Sequence, residues 1–198
     1  MQEGYADEYY EDGTVYSGNF KGGAKHGKGL MKWADDCYYE GEFENSFISG
    51  KGIYYWSDGR IFSGNWLENR MHGFGTFLWP DGKKFEGNYI NDKKHGFGKY
   101  YWTQNIYYEG NWVNAKQHGT GICHTNDKII KGEFRSGRMI RIISEEKING
   151  DEITTDPQSE KKNMDQIDII NKMNKEVDDD TEKLRENEID TKGTPYKM

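Results

Sequence analysis

The stretch Phe62–Lys84, FSGNWLENRMHGFGTFLWPDGKK, decides the fold. An aromatic–x–Gly–x–aromatic run (Phe62, Gly64, Trp66) leads into a polar segment that ends at His72. A Gly-x-Gly step (Gly73, Gly75), alternating aromatics (Phe77, Trp79) and the turn Pro80-Asp81-Gly82 complete the unit. The unit returns every 23 residues, with its lead aromatic at Tyr16, Tyr39, Phe62, Phe85 and Tyr108 and its glycine pairs at 27/29, 50/52, 73/75, 96/98 and 119/121. Self-similarity at a period of about 20 to 50 residues marks a repeat architecture, in which each unit buries its apolar side only against its neighbours.

Inside the unit the apolar period is two, the signal of strands. Phe62, Gly64 and Trp66 share one face, and so do Gly73, Gly75, Phe77 and Trp79. Taking Leu67–His72 as a loop pairs Trp66 with Gly73, Gly64 with Gly75 and Phe62 with Phe77. Pro80-Asp81-Gly82 suits a three-residue hairpin, a type I turn followed by a left-handed glycine. That turn pairs Phe77 with Phe85 and Gly75 with Gly87; a two-residue turn would throw the next aromatic set to the opposite face. The predicted fold is all-β, an elongated, curved single layer of repeated antiparallel hairpins.

Outward from the central unit, residues 1–15 read as a partial repeat. Residues 16–138 read as an array of about five full repeats and a terminal half-repeat, and 139–198 as an acidic tail. Met139–Ile143 predicts a last strand. Met164, Ile167, Ile170, Met173, Val177 and Leu184 fall at helical spacing, an amphipathic helix, whereas Asp178-Asp179-Asp180 and the scarcity of aromatics pull toward disorder. Both readings of the tail stay open.

The formal net charge of −7 sits mostly in that tail: residues 1–138 hold 17 basic and 18 acidic side chains, and 139–198 hold 10 and 16. Neither part carries the basic footprint of nucleic-acid binding. No apolar run approaches the roughly 20 residues of a membrane span, and the acidic start MQEGYADEYYEDG has no signal-peptide core. The expectation is a cytoplasmic chain. Cys37 and Cys123 fall in repeats one and five, tens of ångströms apart in a linear array of strands about 4.8 Å apart, which predicts reduced thiols.

Candidate chemistry is sparse. One histidine per repeat (His26, His72, His95, His118) puts neighbours about 9–10 Å apart, too far for one metal ion. These histidines are expected in loops, bonded to local backbone. The carboxylates recur as turn or outer-face residues, and no helix follows the Gly-x-Gly steps to make a phosphate cradle. No catalytic, metal or cofactor-binding residues are expected, and no enzyme activity.

YEGEF at 39–43, FEGNY at 85–89 and YEGNW at 108–112, each with a Gly-x-Gly step and most with a preceding histidine, resemble MORN (membrane occupation and recognition nexus) repeats over residues 10–138. Ser49 departs from the histidine position, and Cys123 and Thr125 replace rings. The resemblance implies a non-enzymatic scaffold or adaptor at a membrane–cytoskeleton junction, cell cortex or cilium. A single-layer sheet can bury its aromatic face only against something else, which predicts a protein partner, helical or extended, lying in an aromatic groove. The row Tyr39, Tyr54, Phe62, Phe77, Phe85, Tyr100, Tyr108 and the flanking Phe43, Trp66, Tyr89 and Trp112 are the expected groove residues. The cover could equally be the chain's own C-terminal helix or a second copy, which would make a homodimer. Phe47 and Ile48 form an apolar loop where the sibling loops are basic, a second contact site. The alternative implied by the family name is a peripheral phosphoinositide or anionic-lipid module touching membrane through Lys93 and Lys94, an association expected to be weak or indirect.

Overall fold

The computed structural model describes residues 1–148, 164–175 and 177. The chain forms two compact units, Met1–Gln104 and Asn105–Met198. In the first, nine strands follow one another as antiparallel neighbours: β1 (Gly4–Tyr9), β2 (Val15–Lys21), β3 (Ala24–Lys32), β4 (Tyr38–Glu44), β5 (Phe47–Tyr55), β6 (Ile61–Leu67), β7 (Arg70–Leu78), β8 (Lys84–Ile90) and β9 (Lys93–Tyr101). The second repeats the pattern with β10 (Tyr107–Val113), β11 (Lys116–His124), β12 (Lys128–Arg135) and β13 (Arg138–Lys147). It also carries a helix, α1, over 164–175 that continues at Val177.

Register across the wide turn is as the sequence predicts: Phe77 faces Phe85 and Gly75 faces Gly87. Gly82 has φ +89° and its N–H donates to the Trp79 carbonyl at 3.0 Å, the type I turn and left-handed glycine that keep the rings on one face.

The other connection differs from the predicted loop. Phe62 pairs with Phe77 and Gly64 with Gly75, but Trp66 pairs with Met71 and Leu67 with Arg70. The hairpin closes at Glu68-Asn69, both at positive φ (49° and 65°), and the same left-handed pair recurs at Asn45-Ser46, Asn91-Asp92 and Asn114-Ala115. Such turns match the twist of the flanking strands, which is why a tight two-residue turn replaces the loop. The surplus residues form a bulge, with His72-Gly73-Phe74 set against Asn65 and Gly73 at φ +69°. His26, His72, His95 and His118 therefore lie in strands β3, β7, β9 and β11, not in loops.

Of the tail, β13 extends the predicted last strand through Lys147. In α1, Ile170 and Val177 are buried, Ile167 and Met173 half-buried, and Met164 exposed. Leu184 and Asp178–Asp180 lie outside the described residues.

Candidate protein-binding site

Each repeat lays its lead ring flat on the paired glycines. A Cβ on Gly75 would stand 2.4 Å from Phe62 Cζ, and one on Gly52 would stand 2.2 Å from the Tyr39 hydroxyl. The ring then meets the next aromatic of its strand edge-on: Phe62 and Trp66 at 5.1 Å between centroids, Phe85 and Tyr89 at 5.3 Å, Tyr108 and Trp112 at 5.4 Å. Edge-to-face contact suits the ring quadrupole. Along the turns a second ladder runs Trp33–Tyr54–Trp56–Phe77–Trp79–Tyr100–Trp102 with neighbouring centroids 4.4 to 5.6 Å apart.

These contacts close the expected groove. In the first unit Tyr39, Phe43, Tyr54, Phe62, Trp66, Phe77, Phe85, Tyr89 and Tyr100 are all buried, and so are Tyr108 and Trp112 in the second. The rings are core. They seal one another on a glycine floor, with Lys25, Ile48, Met71 and Lys94, also buried, paired against Phe20, Phe43, Trp66 and Tyr89. The sequence reading took an aromatic row as an open surface because it had no measure of how completely rings on glycine cover each other.

Ile48 belongs to that covering row and is not a loop contact, while Phe47 beside it is 46% exposed. Lys94 is likewise no lipid contact. Its Nζ sits over the rings of Trp79, Phe85 and Tyr100 at 5.1, 5.4 and 4.8 Å, and only Lys93 of the pair is exposed. Lys25 lies over Tyr10 and Tyr16, bridges to Glu8 at 3.0 Å and donates to the Tyr10 hydroxyl. Ammonium groups are attracted to ring faces, so a lysine can finish an aromatic row.

An accessible concavity of the first unit is on the opposite face. It is a furrow of about 890 Å³ running from β1 to β7, with Lys28, Glu42, Lys51, Ile53, Asn65 and Phe74 among its lining. Its floor is the reverse side of the glycine pairs, and its walls are held by the bulges. Asn19 and Asn65 each donate a side-chain amide to the carbonyl across the bulge, Lys28 at 3.1 Å and Phe74 at 3.2 Å. Glu42 takes that position in the second repeat and accepts the Lys51 N–H at 2.9 Å. Phe74 is 58% exposed and its counterpart one repeat later, Phe97, is 54% exposed. Sequence reasoning missed both. The signal was present, since Lys28 and Lys51 occupy the same repeat position and give way to phenylalanine in repeats three and four.

Among the described residues no three His, Cys, Asp or Glu side chains gather to hold a metal ion. Cys37 and Cys123 are free and buried, and burial pushes the Cys123 thiol up to about 12. Burial also raises the hydroxyls of Tyr39, Tyr54, Tyr89 and Tyr108, which stay neutral. No described helix is long and apolar enough to cross a membrane.

Consecutive hairpins with rings packed on glycine on one face and a furrow on the other define a β-repeat protein. The MORN repeat profile matches residues 16–38, 39–59, 62–84, 85–105 and 108–128, more than half of the chain, and the chain belongs to the MORN-repeat family. No curated protein sequence matches it. Among solved structures it is similar to the SAS-4 (dCPAP) TCP domain in complex with a proline-rich motif of Ana2 (dSTIL), from Drosophila melanogaster. The two share 14% identity and a TM-score of 0.40, over 74% of this chain and 84% of that one.

Proposed function

We propose that this chain is a non-enzymatic MORN-repeat scaffold that binds a protein segment, and that the segment lies in the furrow of the first unit. The supporting observation is the contrast between the two faces: the rings are sealed, while Phe74, which lines the furrow, stands exposed, as does Phe97 at the same position of the next repeat. Isolated exposed apolar residues are ordinary, but Phe74 in a concavity lined also by Lys28, Lys51 and Glu42, with Phe97 continuing its row one repeat beyond, suits a partner segment with apolar side chains between charges. An extended or a helical segment both fit a furrow of that size. Family membership supports the scaffold reading, and a place at the cytoskeleton or cell cortex is part of the same proposal.

The test is capture of partners from native cells by the wild type and by Phe74→Ser/Phe97→Ser. Both side chains are exposed, so the double variant should keep its circular dichroism. The proposal expects the wild type's specific partner to be lost. Retention of that partner at unchanged affinity by the folded double variant would move the binding site off the furrow.

A further inference from the structure

Three narrow hairpin turns of the first unit, at Ser46, Asn69 and Asp92, each clasp the preceding repeat with two hydrogen bonds. Asn69 accepts the Ile48 N–H on Oδ1 at 2.8 Å and donates its own N–H to the Ile48 carbonyl at 2.9 Å. Asp92 does the same for Met71, at 2.8 and 3.0 Å, and Ser46 for Lys25, at 3.1 and 2.9 Å. The clasped residue is always the one paired across its hairpin with a core ring: Lys25 with Phe20, Ile48 with Phe43, Met71 with Trp66.

Met139 holds that place in β13, paired with Phe134. No hairpin follows to clasp it, since β13 is the last strand among the described residues. The clasp is nevertheless made. Asn171 of α1 accepts the Met139 N–H on Oδ1 at 2.7 Å and donates Nδ2 to the Met139 carbonyl at 3.2 Å. One side-chain amide thus supplies both bonds that elsewhere need a side chain and a backbone N–H. The contact is anchored one turn on, where Asn174 Oδ1 accepts Gln117 Nε2 at 2.9 Å, both residues being almost fully buried, with Ile170 and Val177 buried on the same side of the helix.

We propose that α1 is the end cap of the array, standing in for the next repeat through Asn171, and that it keeps strand addition by a second copy of this chain off β13. A terminal strand is a template for another chain, and natural proteins cover such edges with a helix. Ile140 and Ile143 of β13 are 45% and 46% exposed, apolar side chains that would favour an added strand once the edge is free. The inference is independent of what the furrow binds.

The test uses the full chain carrying Asn171→Ala, and separately Asn171→Asp. The carboxylate can still accept the Met139 N–H, as Asp92 does for Met71, but cannot donate to the carbonyl. In Asn171→Ala the Met139 amide should exchange about tenfold faster or more, while the Met71 amide is unchanged, and light scattering should show mass rising with concentration toward a dimer. Asn171→Asp should fall between wild type and alanine, and it carries the test alone if the alanine chain fails to fold. An unchanged Met139 amide in the alanine variant would remove the clasp. A freed amide with a monomer mass at every concentration, or a wild type already dimeric, would remove its role as a barrier.

Discussion

Gly75 has no room for a methyl group, because a Cβ there would stand 2.4 Å and 2.5 Å from two atoms of the Phe62 ring. Gly75→Ala should therefore cost about 1–3 kcal/mol by overpacking, read as a shift in denaturant midpoint. The lead ring itself varies in one informative way. The hydroxyls of Tyr16, Tyr39 and Tyr108 donate to the carbonyls of Asn19, Glu42 and Asn111 at 2.9, 3.1 and 3.1 Å, while Phe62 and Phe85 have no such donor. Tyr39→Phe is expected to lose about 1 kcal/mol, and Phe62→Tyr to gain a few tenths to about 1 kcal/mol by reaching the Asn65 carbonyl. Adjacent lysines separate in the same way. Lys94→Glu would bury a carboxylate against three ring faces and should cost about 3 kcal/mol or more, whereas exposed Lys93→Glu should stay within about 0.5 kcal/mol. Equal effects in thermal unfolding would mean that Lys94 is not inside the ring row.

At the scale of the hairpin, Asn69 performs two tasks: it sits at φ +65° in the turn and clasps Ile48. Asn69→Ala should cost about 1–2 kcal/mol and speed exchange of the Ile48 amide, with little change at the Met71 amide held by Asp92. Uniform loss of protection across β4 to β9 would argue against local clasping. The sequence already showed the period, the strands, the shared face of the rings and the Pro80-Asp81-Gly82 turn, because alternation and a proline–glycine signature act within a few residues. The narrow turn was hidden by the surplus residues at His72-Gly73-Phe74: a six-residue gap between Trp66 and Gly73 reads equally as a loop or as a tight turn plus a bulge. The paired left-handed candidates at 22/23, 45/46, 68/69, 91/92 and 114/115 were the available clue. The burial of the ring face was missed for a different reason. Aromatic content indicates where apolar surface lies, but whether it is open depends on how rings, glycines and the Lys25–Ile48–Met71–Lys94 row close over one another, a property of packing rather than of pattern. In the tail, apolar spacing indicated a helix yet passed over Asn171 and Asn174, the polar residues that dock it.

For the whole molecule, the buried phenols set the response to alkali. Burial, with Glu8 adding to it, pushes Tyr16 from 10.0 up to about 12, and burial raises Tyr39, Tyr54, Tyr89 and Tyr108 further. In the unfolded chain these groups lose their protons near pH 10. Above that pH the native state holds more protons than the unfolded state, so stability is full below about pH 10 and falls as pH rises through 12. Phenolate absorbance from the core tyrosines should appear only together with loss of the β signal in circular dichroism. The central claim is that the ring face is interior and the furrow face is the one a partner can reach. Hydroxyl-radical footprinting of the free native chain tests it most directly. Phe74 and Phe97 should oxidise readily, while Phe62, Phe77, Phe85 and Tyr89 should stay protected until the chain is unfolded. Oxidation of Phe62, Phe77 and Phe85 at the rate of Phe74 in the folded chain would contradict the account and return the binding surface to the aromatic face.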